Sequence, residues 1–544
     1  MIKRFFLLCF IPILLYSSQE DTVIFAIQNK LYEKNEWKAL LHYNNGFKVT
    51  DKKFLLSKNH SLKNELIATI KAFYDLPKSF QDINEHAQCK FPARFLFLSH
   101  ELNLSKNEFP KINCQDLQTY KEKAPADDIF LIYASENVKN PSSMMGHVFL
   151  KFSGKNYKNK EVHHAITFYT VIDGINPFKL IYQNTISGMK GLFALQPYKK
   201  IKENYTQKEN RNLWEYQLSL SEYERKLIYY HIWELKGVDM QYYFTSYNCS
   251  TVIYNMLSLA NPKVYDDTKI WITPLDSVKY LYKYNLIAQA QLYPSNSWLT
   301  KMQEDTNIDF NNTEQLKSKI IDISKYKSPN KIPSERQLSI GYVNLNEEKY
   351  LKFSFLPASH LLNDYNREYF GESELKIASL LVLVNDKNIA LQDFTLYGMK
   401  SYMPYSSLTH DLSYQFELAV KKEYTKDENY NDTLKIDGGM GVDFLFFNDI
   451  NIFVMLNGGM GYNKNDNFHV LLNPQIGMMI YEIFNMKSLF YYQPYFINDE
   501  HIYNRYVIEH NVFFHKNYTL YFNLEKIEKK DDFLNYEFGI KYLF

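Results

Sequence analysis

Net charge is what this sequence has least of: 62 Lys plus Arg against 61 Asp plus Glu leave +1 over 544 residues. A chain without charge bias has no global field to hold nucleic acid, so that class of function is set aside. Cysteine is almost absent, at four residues, and there is no Cys-x-x-Cys or His-x-x-x-His pair, which argues against a zinc site. No motif for a nucleotide or other cofactor occurs, and none is implied. Beyond residue 18 no stretch reaches the eighteen or so consecutive apolar residues of a membrane-spanning helix. Glycine (18) and proline (17) are scarce beside 46 Tyr and 39 Phe. That bias suits strands and membrane-interface belts better than helical bundles. Hydrophobic content of 46 % with 23 % charged residues excludes a disordered chain. At roughly 150 residues per domain the length suggests three or four folding units.

Residues 1–18 have Lys3 and Arg4, an apolar run from Phe5 to Tyr16, and Ser17-Ser18, the layout of a cleaved secretory signal. Removing it leaves 60 basic against 61 acidic residues. An exported chain meets an oxidising compartment with Cys89, Cys114 and Cys249. Cys89 and Cys114 lie close in sequence and are expected to pair, a closure worth about 3 kcal/mol on the chain-entropy model. Cys249 is then a free thiol, either a small buried hydrophobe or a reactive group.

Residues 19–120 read as mainly helical, with three-to-four apolar spacing over Lys30–Leu41 and Leu62–Tyr74 and no visible chemistry. Residues 121–300 mix strands and helices: a strand over Ile129–Ala134, a hairpin over His147–Thr170 and a helix over Glu222–Leu235. Residues 301–337 are polar and read as a linker. From 338 to 544 the apolar period becomes two, as in Leu412, Tyr414, Phe416, Leu418 and Val420 or Tyr536, Phe538, Ile540, Tyr542 and Phe544. About a dozen such segments predict an antiparallel outer-membrane β-barrel, with a soluble sandwich as the competing reading. Asp437-Gly438-Gly439-Met440-Gly441 and Asn457-Gly458-Gly459-Met460-Gly461 lack the Lys-Ser/Thr pair and following helix of a phosphate loop, and read as close strand packing.

Three elements carry chemistry. Asn248 is a good N-cap for a helix whose first turn holds Cys249, where backbone N–H groups and the helix dipole favour a thiolate. A polar loop ends in Gly146, and His147 opens a strand, a place for a general base. His163-His164 start the return strand, and one of them can orient the base imidazole; His164 is the choice made here. Each has a plain structural reading as well: a buried cysteine, a strand-edge histidine and a solvent-facing pair.

In the order His, polar, Cys these elements resemble the circularly permuted branch of the NlpC/P60 papain-like superfamily. The resemblance tightens on the Lnb-type lipoprotein N-acyltransferase periplasmic domain, in Asn140, Ser143, Gly146, His147, Phe149 and Leu150, then Lys190-Gly191-Leu192, Arg211-Asn212-Leu213-Trp214-Glu215-Tyr216, Trp233-Glu234-Leu235 and Tyr242 through Ser250. It covers about 130–265. It implies a permuted NlpC/P60-like α+β papain-like domain between the helical region and the barrel, with Cys249 as nucleophile and His147 as base. The family pattern has Asn where Thr167 stands, which leaves the orienter open among His163, His164 and Thr167. The function implied is cysteine-dependent acyl transfer or hydrolysis through a thioester, on phospholipid or lipoprotein acyl groups at the outer membrane. The alternatives are a cysteine amidase or peptidase on cell-wall peptide, and a non-enzymatic outer-membrane scaffold.

Overall fold

The computed structural model describes residues 19–544 apart from 78–79, 104–108, 136–144, 171–178, 180–181, 184–186, 270, 297–298, 300–327, 359, 367–370, 406–409, 427–429, 448, 499 and 530–531. The secretory signal, most of the linker and much of the polar loop before Gly146 therefore lie outside the described residues. The chain divides into two compact units, Met1–Phe130 with Leu150–Pro197 and Leu218–Thr268, and Leu131–Phe149 with Tyr198–Gln217 and Lys269–Phe544.

The N-terminal region is helical. Leu62–Tyr74 starts where the Ser61 side chain accepts from the Asn64 amide, and it buries Leu66, Ile70 and Phe73 at three-to-four spacing. The helix expected over Lys30–Leu41 is instead a short turn, Leu31–Glu33, and a helix, Asn35–Leu40. Left-handed Lys30 and extended Lys34 break it. Pro92 opens the next helix, Pro92–Glu101, at a position that needs no N–H. Cys89 and Cys114 are bonded, with Cα atoms 5.3 Å apart.

The middle region is mixed α/β. Strands β1 (Asp128–Ala134), β2 (His147–Lys155), β3 (Glu161–Thr170), β4 (Met189–Pro197), β5 (Leu213–Leu218), β6 (Met240–Tyr242) and β7 (Ile287–Tyr293) form one sheet in the order β6-β4-β3-β2-β1-β5-β7. β2 and β3 are the antiparallel hairpin, with Leu150 opposite Ile166 and Phe152 opposite His164.

After Arg336 thirteen strand segments follow: β8 (Gln337–Leu345), β9 (Glu348–Leu356), β10 (Glu372–Val384), β11 (Ile389–Tyr402), β12 (Ser413–Tyr424), β13 (Tyr430–Phe446), β14 (Ile450–Asn463), β15 (Asn467–Leu472), β16 (Gln475–Glu482), β17 (Met486–Ile497), β18 (Glu500–His515), β19 (Tyr518–Glu528) and β20 (Phe533–Leu543). β15 and β16 are halves of one strand broken at Asn473-Pro474, since both pair with β14 and β17. Proline cannot donate to a ladder. Pairing of β20 with β8 closes a barrel of 12 strands. The glycine clusters face one another in it, Gly438 opposite Gly458, and a Cβ on Gly441 would lie 1.9 Å from the Val454 carbonyl oxygen. Alternation turns Ile340, Leu456, Phe468, Leu520 and Ile540 outward, as hydrocarbon requires. Lys435 with Glu423 and Asp437, and Lys421 with Asp393, pair in the lumen.

The segment between β9 and β10 folds into that lumen. Leu362 packs with Tyr402, Phe453, Met455, Met479 and Leu489. Lys541 donates to Asn363 Oδ1 at 2.7 Å and pairs with Asp364 at 3.3 Å, and Lys487 donates to the Leu362 carbonyl and to Glu372. Gln337 reaches Asp364, and Asn363 donates to Glu509. One short segment that touches β8, β11, β14, β16, β17, β18 and β20 must lie across the barrel's interior. The described part of the segment obstructs the lumen at that level. In planar bilayers the wild-type chain is expected to show no steady conductance, and replacing residues 361–366 with a Gly-Ser linker is expected to open one. Steady conductance in wild type, or a silent variant whose barrel still shows heat-modifiable mobility, would contradict the plug.

Candidate functional site

Cys249 opens the helix Cys249–Ala260, all of whose residues are buried. Asn248 fixes the start: its Oδ1 accepts from the Ser250 and Thr251 amides at 2.9 and 3.0 Å, and the Thr251 hydroxyl accepts from the Asn248 amide. The Asn248 side-chain amide donates to the Phe244 carbonyl at 2.8 Å, and paired Tyr243 and Tyr247 close the turn before the helix. The thiol is outside any disulfide and 4 % exposed, in the first turn, where the helix dipole favours an anion. Its Sγ lies 3.9 Å from the Ser250 hydroxyl, and the Tyr242 phenol, held protonated chiefly by burial, interacts with it. Phe168 packs against the Tyr242 and Tyr247 rings at 5.5 and 5.7 Å.

His147 belongs to the other compact unit. Gly146 before it has φ +80°, and a Cβ there would meet the Ala134 carbonyl oxygen and the Tyr133 ring at 3.0 Å, so only glycine serves. The imidazole stacks along Phe149 and Tyr205, with centroids 5.9 and 6.4 Å away. Arg211 lies 4.9 Å from the Tyr205 ring and donates to the Ser135 and Ala134 carbonyls at 2.6 and 2.9 Å. Burial, then the Arg211 charge, pulls the His147 pKa down to about 3, so the ring is neutral at ordinary pH.

The two histidines of β3 point to opposite faces. His163 shares the face of Ser153, to whose hydroxyl its Nδ1 bonds at 2.8 Å. His164 shares the face of Phe152, and its buried Nδ1 has no hydrogen-bond partner among the described residues. Burial and His163 lower its pKa. Thr167 is buried opposite Ala194.

A polar network that sequence reading missed lies beneath the cysteine helix. The Tyr247 hydroxyl bonds to His42 Nδ1 at 2.5 Å, His42 Nε2 meets His231 Nε2 at 2.9 Å, and His231 Nδ1 meets Glu234 Oε2 at 2.9 Å. Glu234 Oε1 accepts from the Ala93 and Arg94 amides, capping the Pro92–Glu101 helix. Arg94 pairs with Glu65 at 3.0 Å and lies over the Phe54 and Phe91 rings at 4.5 and 4.3 Å. The N-terminal region, read as free of chemistry, supplies three members. The available signal was His231 and Glu234 on the apolar face of the helix Glu222–Glu234.

Burial lowers both histidines, His231 to about 3, and raises Glu234 to about 7. Between pH 5 and 6 the unfolded chain therefore binds about two more protons on the histidines and one fewer on the glutamate. The share of stability these three groups carry is expected to rise with pH there by about 1.4 kcal/mol per unit and to level off above about 6.5. His42→Phe removes that net proton, so its urea midpoint should rise with pH less steeply than wild type across this window; an unchanged slope would contradict neutral burial.

Residues 116–284 match the Lnb N-terminal periplasmic domain. Residues 327–542 match a domain of unknown function, DUF7840, and residues 29–101 another, DUF7843. No curated protein matches the chain. Among solved structures, the KdgM porin in complex with disordered oligogalacturonate is 10 % identical at TM-score 0.25, covering 38 % of this chain and 99 % of that one. The NanC porin is 7 % identical at 0.26, covering 38 % and 98 %, and LpxR from Salmonella typhimurium is 11 % identical at 0.24, covering 38 % and 100 %. Likenesses this distant carry no argument about function. The periplasmic-domain match and the closed barrel with its apolar exterior make this an outer-membrane protein whose N-terminal region is periplasmic.

Proposed function

We propose that this outer-membrane chain, with its Lnb N-terminal periplasmic domain, is a cysteine-dependent acyl-transfer enzyme of the cell envelope. The observation that carries the reading is a buried thiol, outside any disulfide, at a doubly capped helix start inside the matched segment. In this reading the middle region is a permuted papain-like domain. Cys249 is the nucleophile and neutral His147 the base; alternation along the hairpin puts Thr167 and His163 on the His147 face and turns His164, the residue expected from the sequence, to the other face, so Thr167 is the better orienter.

The Cys249 thiol gives its proton to His147 as sulfur attacks the carbonyl carbon of a lipid ester. The carbon–oxygen bond breaks, the imidazolium returns the proton to the leaving alkoxide, and a thioester remains. An amine of a lipoprotein, or water, then attacks the thioester while His147 takes its proton, and the thiolate leaves. An outer-membrane location sets this chemistry beside phospholipid and lipoprotein, the acyl donors and acceptors of the proposal.

The test is mass spectrometry of lipids and lipoproteins from cells carrying wild type or Cys249→Ser. A shift in lipoprotein acylation or in lysophospholipid is expected. Identical profiles would overturn the lipid reading.

A further inference from the structure

On the outer wall of the barrel three polar side chains meet where hydrocarbon would be expected. The Ser488 hydroxyl bonds to Glu482 and lies 2.8 Å from His510 Nδ1, and Glu482 Oε1 is 3.8 Å from that nitrogen. Ser488 stands opposite His510 in the β17–β18 ladder. All three point outward, because Lys487, the next residue along β17, points into the lumen toward Glu372 and the plug. Glu482 and His510 remain about one-third exposed, while Ser488 is 4 % exposed.

His510 also borders a cavity of about 520 Å³ in the same wall. Ile340, Leu351, Leu520, Phe522, Phe538 and Ile540 line it, each between 40 and 51 % exposed. Its floor includes Gly341 and Gly539, which pair where β20 meets β8. Glu482 is the last residue of β16, at the level where a barrel strand leaves hydrocarbon for headgroups. From there the groove runs past His510 and Phe522 into the apolar band.

We infer that this groove and trio form a specific phospholipid site: an acyl chain fills the groove, and an ammonium headgroup donates to the Glu482 carboxylate, with Ser488 and His510 holding that carboxylate in place. The occupant follows from position and chemistry. The groove opens on the lipid-facing wall, its lining is aliphatic and aromatic, and among the described residues the polar end offers a carboxylate and no Lys or Arg. The trio is not arranged as a hydrolytic triad, since Ser488 and Glu482 approach the same imidazole nitrogen and nothing orients the other. The inference stands apart from the Cys249 reading, since every residue in it lies on the barrel.

The test uses the full-length chain in phosphatidylglycerol vesicles carrying a trace of phosphatidylethanolamine with a diazirine in its acyl chain. After irradiation, adducts should concentrate on β18, β19, β20 and β8, relative to β12 and β13 across the barrel. Glu482→Gln with His510→Leu should lower that yield by about tenfold, the worth of a charge-assisted contact. Leu520→Trp, which fills the groove and spares the trio, should lower it as well. Replacing the probe with diazirine-tailed phosphatidylglycerol should give a weak, even pattern. Adducts spread evenly around the barrel, equal yields from the two headgroups, or yields indifferent to both variants would mean annular lipid only and overturn the site.

Discussion

Cys249→Ser is expected to lower acyl transfer by on the order of 10³-fold or more while leaving the thermal unfolding midpoint within a degree or two of wild type. Sulfur and oxygen occupy the same position at the helix start, and the Asn248 cap does not involve the thiol. Stability therefore has little reason to change. Activity does, because a serine hydroxyl at that place must be deprotonated by His147 without the thiol's intrinsic acidity. His147→Asn should cost a comparable factor. Among His163→Ala, His164→Ala and Thr167→Ala, the variant with the largest loss identifies the orienter, and Thr167, on the His147 face of the hairpin, is the residue expected, with His164→Ala near wild type. Measuring kcat and thermal midpoint on each variant separates chemistry from folding: a Cys249→Ser protein that keeps its activity, or one that simply unfolds, would remove the nucleophile from the account.

The second large effect is on stability. Arg94 has no exposure and lies between the Glu65 and Glu234 carboxylates, with its guanidinium stacked between two phenyl rings. Arg94→Met keeps most of the volume and removes the charge. Glu65 and Glu234 then share a buried site with no cation, and breaking a buried pair from one side costs about 3–5 kcal/mol. The Glu65 carboxylate keeps the Leu56 and Ser57 amides, and Glu234 keeps those of Ala93 and Arg94. The cost should therefore be partly recovered by adding Glu65→Gln. Urea unfolding of the periplasmic region reads both. A loss under 1 kcal/mol in Arg94→Met would mean the network contributes little to the fold.

The helices at Leu62–Tyr74 and Glu222–Glu234 were legible in the sequence because apolar period and cap agree: Ser61 and Ser221 each accept from the third helical amide. The barrel was legible because a period of two over long segments leaves few other folds. What stayed hidden depends on contacts distant in sequence. His42 and His231 are 189 residues apart, and neither position announces the other. The plug was hidden for the same reason: Leu361-Leu362-Asn363-Asp364 is short and mixed, and its partners are spread over seven strands. The broken strand at Asn473-Pro474 explains why thirteen segments make twelve strands. For the candidate site, local pattern located the thiol and its cap. The choice between His163 and His164 turns on hairpin register, which the dipeptide alone does not fix.

The most direct measurement is intact-protein mass spectrometry of the wild-type chain, quenched in acid during turnover with phospholipid. The expected result is a fatty-acyl adduct confined to the peptide with Cys249, labile to hydroxylamine as a thioester is, and missing from Cys249→Ser quenched the same way. A peptidyl adduct on Cys249 would establish amidase chemistry instead. No adduct at all, with acyl transfer still proceeding, would contradict the covalent mechanism.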